Sequence, residues 1–204
     1  MPRTKSQDYT SIRATILKNA ADLFTTNGYH GTSITKISEA SNISKSGIYH
    51  YFTSKDEILN ELLSQHIDKI FDAVVLALKS SQSPIKQLQT LTAILIEMHE
   101  NTKNNPAVLI GEARHLNEND QDRIAGLERQ IIKIVDGVMA NIMINTKDLQ
   151  DKPQYATILY FNMINFIHIH KYNRESIDVN YSKISELAYN IFLHGILHDD
   201  ALCK

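Results

Sequence analysis

Apolar residues recur along this chain at three- and four-residue spacing almost throughout, and that period predicts helices. The first run, Ile12, Ile16, Ala20, Leu23 and Phe24, gives one apolar face to a helix over Asp8 to Asn27, closed by Gly28. Ile34, Ile37 and Ala40 keep the period over a much shorter stretch. Thr32 or Ser33 is placed to cap that helix, and Asn42, which tolerates a left-handed backbone, to stop it. Ile43 follows as an apolar plug and Ser44 as the next cap; Ile48 and Phe52 mark the buried side of a second short helix. Ser54-Lys55-Asp56-Glu57 then opens a long helix with a capping serine and acidic first turn. Its stripe from Ile58 to Leu78 carries it to about Lys79, roughly 37 Å at about 1.5 Å per residue. Such a helix must leave the first group of elements and enter the next, which makes it a natural lever between them.

The remainder continues in the same style. Pro84 starts a helix through Leu88, Leu91, Leu95 and Met98 to about Lys103. Asn104-Asn105-Pro106 breaks the chain, a shorter segment runs to about Asn117, and Asn117 to Asp120 reads as a polar turn. Ile124, Leu127, Ile131, Val135, Val138 and Ile142 mark a long helix ending near Asn145. Tyr155 to Tyr172 is apolar nearly all round, and Tyr181 to His198 carries Ile184, Leu187, Ala188, Ile191, Phe192 and Leu197. A helix apolar on every side needs cover on every side, so this pair is expected to meet its counterpart in an isologous four-helix contact.

Composition changes little in this picture. A hydrophobic share of 43% and a charged share of 22% are those of an ordinary globular protein, and four Pro with seven Gly leave little room for strands, so the fold class is all-α. No apolar run reaches the length of a membrane span. The first residues, MPRTKSQDYT, lack the apolar core of a signal peptide, and Cys203 has no second cysteine to pair with, so a cytoplasmic location is expected. Residues 1–7, with Arg3 and Lys5, read either as an arm that reaches phosphates or the minor groove, or as a frayed terminus. Charge is uneven. Residues 1–56 hold seven Lys/Arg against four Asp/Glu, and the rest fourteen against nineteen, so a mildly positive head precedes an acidic body. That is the balance expected if only the head meets phosphates.

Candidate chemistry concentrates in the second short helix. Its exposed face carries Lys45, Ser46, Gly47, Tyr49, His50 and Tyr51, small, basic and aromatic groups that suit a major groove. Thr35, Ser44 and Lys55 are placed for phosphates through hydroxyls, helix N-termini and charge. Gly47 costs roughly 1 kcal/mol of helix propensity relative to Ala, which makes sense where a sugar-phosphate backbone must come close. A metal site is not expected. His168 and His170 point to opposite sides of a helix, and His194 and His198, though four apart, lack the H-E-x-x-H pattern around them. No phosphate loop or nucleophile elbow is present and Cys203 has no neighbouring base, so neither an enzyme nor a cofactor is expected.

From Asp8 to Leu63 the chain resembles the TetR/AcrR family of transcriptional regulators, in GYHGTSI, K-I-S-E-A-S-N-I-S, S-K-S-G-I-Y-H-Y-F and S-K-D-E-I-L. It departs at Asn42, where such regulators typically carry Gly. The resemblance implies a helix-turn-helix DNA-binding domain over 8–54, with the motif at about 32–52, and a helical ligand-binding and dimerisation domain over 55–204. It also implies a homodimer on palindromic operator DNA, its reading helices roughly 34–36 Å apart. In the body, Met98, His99, Arg114, Arg123, Tyr160, Met163 and Phe166 describe a small-molecule pocket and an ordinary helical core equally well. The resemblance favours the pocket. The stretches R-H-L-N-E-N-D-Q-D-R-I and H-I-H-K-Y-N-R-E-S resemble the acyl-CoA-responsive branch, which implies an acyl tail among Met and aromatic residues and Arg114 or Arg123 on CoA phosphates. The expected function is a repressor released from DNA by a small molecule, an acyl-CoA; the alternative is a constitutive DNA-binding dimer with no effector.

Overall fold

A computed structural model describes residues 3–79, 83–100, 110–144, 152–171 and 180–197, and all the regular structure in them is helical. In chain order the elements are α1 (Arg3–Gly31), α2 (Ile34–Ser41), α3 (Lys45–Tyr51), α4 (Lys55–Lys79) and α5 (Pro84–Glu100). A 3-10 helix (Ile110–His115) follows, then α6 (Glu118–Ile142), α7 (Pro153–Lys171) and α8 (Tyr181–Leu197). The chain forms two compact units. One holds residues up to His66 with the described part of Asn104–Ile124; the other holds Ile67–Lys103 and the residues from Ala125 on. The first compact unit takes in α4 as far as His66. The first half of α4 buries Ile58, Leu59, Leu62 and Leu63, and that burial keeps it with the head.

In the first unit, local chemistry sets the ends of short helices. α1 begins at Arg3, five residues before the expected Asp8, so residues 3–7 continue a helix and are not a loose arm. Gly28, at φ 72°, breaks the helical path where the chain turns toward α2. Thr32 is buried there and donates its hydroxyl to the carbonyls of Leu23 (3.0 Å) and Gly28 (2.9 Å), which leaves Ser33 as the cap of α2. The Ser33 hydroxyl accepts from the Lys36 N–H at 3.2 Å. Asn42 ends α2 in the left-handed region (φ 54°, ψ 41°), and Ser38 donates to the carbonyl of Ile43 at 2.7 Å across the turn. α1 packs on α2 and α2 on α3, over a core of Ile16, Ala20, Phe24, Ile37, Ile48 and Phe52. At the start of α4, Ser54 accepts from the Glu57 N–H at 3.1 Å, and the Glu57 carboxylate accepts from the N–H and hydroxyl of Thr53 at 2.6 and 2.7 Å.

In the second unit α5 packs on α7 and α8, and α7 on α8. Leu88, Leu91, Leu95, Tyr160, Ile164 and Phe192 are buried there, with the Tyr160 ring edge-on to Phe192 at 5.3 Å. The expected polar turn at Asn117 to Asp120 is instead the cap and first turn of α6. The Asn117 side chain accepts from the Asp120 N–H at 3.0 Å, so the helix starts at Glu118. α7 is not enclosed on all sides: Tyr155, Ile158 and Leu159 are exposed, as are Leu187 and Ile191 on α8. Among the described residues no helix is long and apolar enough to cross a membrane.

Candidate nucleic-acid interface

α3 is seven residues long and is held from beneath and at both ends. Ile48 is fully buried, the Ser44 hydroxyl accepts from the Gly47 N–H at 3.1 Å, and the Phe52 N–H closes the last turn onto the Ile48 carbonyl at 3.0 Å. What remains outside is Lys45, Ser46, Tyr49 and His50, all exposed, with Tyr49 at 53%. Ser44 is exposed too, 3.0 Å from the Ser46 hydroxyl, and Thr35 is half-buried in the first turn of α2. Gly47 has an internal cause. A Cβ there would come within 2.6 Å of Ile43 Cγ2 and 3.2 Å of Ser44 Oγ, so the packing of the turn, with no external surface, already demands glycine.

Lys55 corrects the expectation that it holds a phosphate. Its ammonium donates to the carbonyls of Tyr29 (2.8 Å) and Thr32 (2.9 Å) and lies 3.9 Å from the centre of the Tyr29 ring. Burial lowers its pKa, against the opposing charge of Asp56. It therefore ties the start of α4 to the turn after α1. The Tyr29 hydroxyl donates to Asp56, and burial, then that carboxylate, raises the phenol's pKa. The other face of this cluster belongs to the 3-10 helix: the His115 ring stacks on Tyr29 at 5.0 Å and 8°, His30 stands edge-on to it at 4.3 Å, and Glu112 lies 3.1 Å from His115 Nε2.

The proposed ligand residues do not form one described group. Arg123 is a further correction: its guanidinium donates to Asn60 Oδ1 at 2.7 Å and to the Ser64 hydroxyl, fastening the start of α6 to α4 within the first unit. Arg114 is exposed, its Nε donating to His115 Nε2 at 3.3 Å. Tyr160 is fully buried in the second unit, shares a 3.0 Å hydrogen bond with the Thr92 hydroxyl, and has its pKa raised by burial; Met163 is half-buried. The side chains of Met98, His99, Phe166, His168 and His170, and all of His198 and Cys203, lie outside the described residues.

One residue escaped the sequence reading. Tyr9, in the second turn of α1, lies 4.7 Å from the Tyr51 ring and 6.2 Å from His50, so Tyr51 is half-buried beside it. Tyr9 stands one helical turn before Arg13, and Arg13 covers Phe52 at 4.5 Å and pairs with Glu61. The signal was legible in that spacing, but only for a helix that begins before Asp8.

Residues 16–62 match the model of the bacterial regulatory proteins of the tetR family. Those residues form a TetR-family N-terminal domain. Proteins of that family are DNA-binding transcriptional regulators and not enzymes. Among relatives of this chain, the HTH-type transcriptional repressor KstR2 of Mycolicibacterium smegmatis is 28% identical over 117 residues. That match covers 57% of each chain, so this chain spans little more than half the length of the curated relatives it matches. The fold is similar to that of a TetR-family transcriptional regulator from Bordetella parapertussis (TM-score 0.80, 26% identity, 89% of this chain and 94% of that one). It is also similar to that of AibR in a complex with isovaleryl coenzyme A and operator DNA (TM-score 0.74, 18% identity, 88% and 97%).

Proposed function

We propose that this protein is a homodimeric transcriptional repressor of the TetR type that acts in the cytoplasm, binds palindromic operator DNA through α3, and is released by an acyl-CoA. The observation that carries the DNA half is the division of labour on α3. Its buried side, caps and glycine are committed inside the head, while Lys45, Ser46, Tyr49 and His50 project with no core role. Thr35 and Ser44 flank them at helix starts, where hydroxyls and N–H groups suit phosphates. The second copy would cover the exposed apolar residues of α7 and α8. The acyl-CoA half is supported by the fold shared with AibR, whose structure holds isovaleryl coenzyme A, and by the kinship with a KstR2 repressor. Within the second unit, the half-buried Met163 is the residue proposed to meet the acyl tail.

The test uses the full chain. It should enrich a palindromic duplex from a random library, and Lys45→Ala should lower the salt slope of that binding by about one. Tyr49→Ala should weaken binding to all sequences similarly. Ile191→Glu should dissociate the dimer in sedimentation. Isovaleryl-CoA at a hundred times its dissociation constant should stabilise the fold by about 2.7 kcal/mol and free the DNA. Failure to enrich any duplex would sink the regulator reading. A flat response across acyl-CoA chain lengths would favour the constitutive dimer, which one observation already supports: Tyr160, the polar group expected at the pocket wall, is fully buried and bonded to Thr92.

A further inference from the structure

We infer that Tyr9 is a positioning residue for DNA reading: it holds the His50 and Tyr51 rings of α3 in place before DNA arrives. This inference rests on the proposal that α3 meets DNA. Three rings gather at the C-terminal end of that helix. Tyr9 and Tyr51 are 4.7 Å apart and tilted by 37°, Tyr9 and His50 are edge-on at 6.2 Å, and His50 and Tyr51 are edge-on at 5.3 Å. Each separation lies in the range where aromatic pairs attract beyond their buried area. Yet Tyr9 is 41% exposed, and His50 is exposed as well, so little core packing is at stake in the cluster.

The need for such a brace follows from the length of α3. Barely two turns, anchored by Ile48 and by Phe52 just after it, set the axis of the helix but leave exposed rings on its last turn free to rotate. A ring frozen only on binding costs affinity, and one held beforehand does not. Tyr9 can do this because it stands on a regular helix. From Arg13, which covers Phe52 and pairs with Glu61, the same face of α1 reaches back one turn to Tyr9. The brace is thus continuous with the core on one side and with the exposed face of α3 on the other. It sets the direction of the His50 imidazole, whose ring nitrogens are the groups of this triad best suited to base edges.

The experiment measures the affinity of full-length variants for the duplex that wild type enriches from a random library, and for a scrambled duplex of the same length. Tyr9→Ala should weaken the enriched duplex by roughly five- to tenfold, in line with a lost aromatic pair and ring ordering, and leave the scrambled duplex and the salt slope unchanged. Tyr9→Phe should restore wild-type affinity, because the ring and not the hydroxyl makes the contacts. In a chain already carrying His50→Ala and Tyr51→Ala, Tyr9→Ala should have no further effect on affinity, a non-additivity that a general loss of stability would not produce. Equal losses on both duplexes, additive losses in the triple variant, or unchanged affinity in Tyr9→Ala would each overturn the inference. If wild type enriches no duplex, the failure belongs to the DNA-binding proposal and not to Tyr9.

Discussion

The two units of this protein solve the problem of holding helices in opposite ways. In the first, α2 and α3 are 8 and 7 residues long, too short to persist by propensity alone, and side chains finish nearly every loose backbone end. Ser33, Asn42, Ser44 and Ser54 cap or stop helices, while Thr32, Asn19, Lys36 and Lys55 reach carbonyls of neighbouring turns. In the second unit α5, α7 and α8 run from 17 to 19 residues and rest on apolar burial, with the Thr92–Tyr160 pair a polar tie in the core. That unit also leaves Leu159 and Ile191 at least 60% exposed. A head built by local bonds keeps its shape with a small core, as a reading surface must. A body built by burial can be repacked or covered by a partner.

The sharpest way to break that contrast is to cut each unit at its own kind of support. Ile48→Ala removes the buried anchor of α3 and should cost about 2–5 kcal/mol in denaturant unfolding. A small loss there would mean that the caps alone hold the head. Thr92→Val leaves the Tyr160 hydroxyl buried without its partner and should cost about 1–3 kcal/mol, whereas adding Tyr160→Phe should return most of it. Two additive losses in that cycle would remove the pair from the account of the body.

Smaller effects test individual ties in the head. Lys55→Met should lower stability by about 1–2 kcal/mol without changing the salt slope of DNA binding, the reverse of Lys45→Ala. A flattened slope in Lys55→Met would return that residue to the phosphates. Asn42→Ala places a side chain with no polar tip in the left-handed region and should cost about 1 kcal/mol, with Asn42→Gly close to neutral in the same melt. Smallest is a pH effect at Glu57. The Thr53 hydroxyl and N–H hold its pKa below the ordinary 4.5, so the unfolded state binds its proton first as pH falls. Its contribution is therefore complete above about pH 4.5 and fades as pH falls through the lower folded value. Glu57→Gln should flatten that acid limb of the unfolding midpoint, and an identical limb in both proteins would show that the bonds to Thr53 do not matter.

What was legible in the chain was what neighbours along it decide. Ser33, Asn42, Ser44 and the Ser54–Glu57 box act within four residues of themselves, so composition and spacing point to them directly. The helical class and the span of α4 to Lys79 follow from the apolar period in the same way. Lys55 and Arg123 were misread because a lysine or arginine beside a reading helix looks the same whether it faces a phosphate or a carbonyl. Their partners stand 26 and 63 residues away, and only the packing of α4 against the turn after α1 and against the start of α6 brings them within bonding distance. Gly47 has a cause that the sequence did not reveal, since the Ile43 methyl that excludes a Cβ arrives with the angle of the turn. Tyr9 was missed altogether.

By itself, then, the amino-acid order determined that this protein is helical, where its short helices start and stop, and which face of α3 is left outside. Those outcomes depend on bonds and side-chain periods that span a few residues. The tertiary structure decided that Lys55 and Arg123 hold the fold, why Gly47 is glycine, and that Tyr9 stands against Tyr51 and His50. Each of these is a distance between groups far apart in the chain, and such distances exist only once the helices have packed.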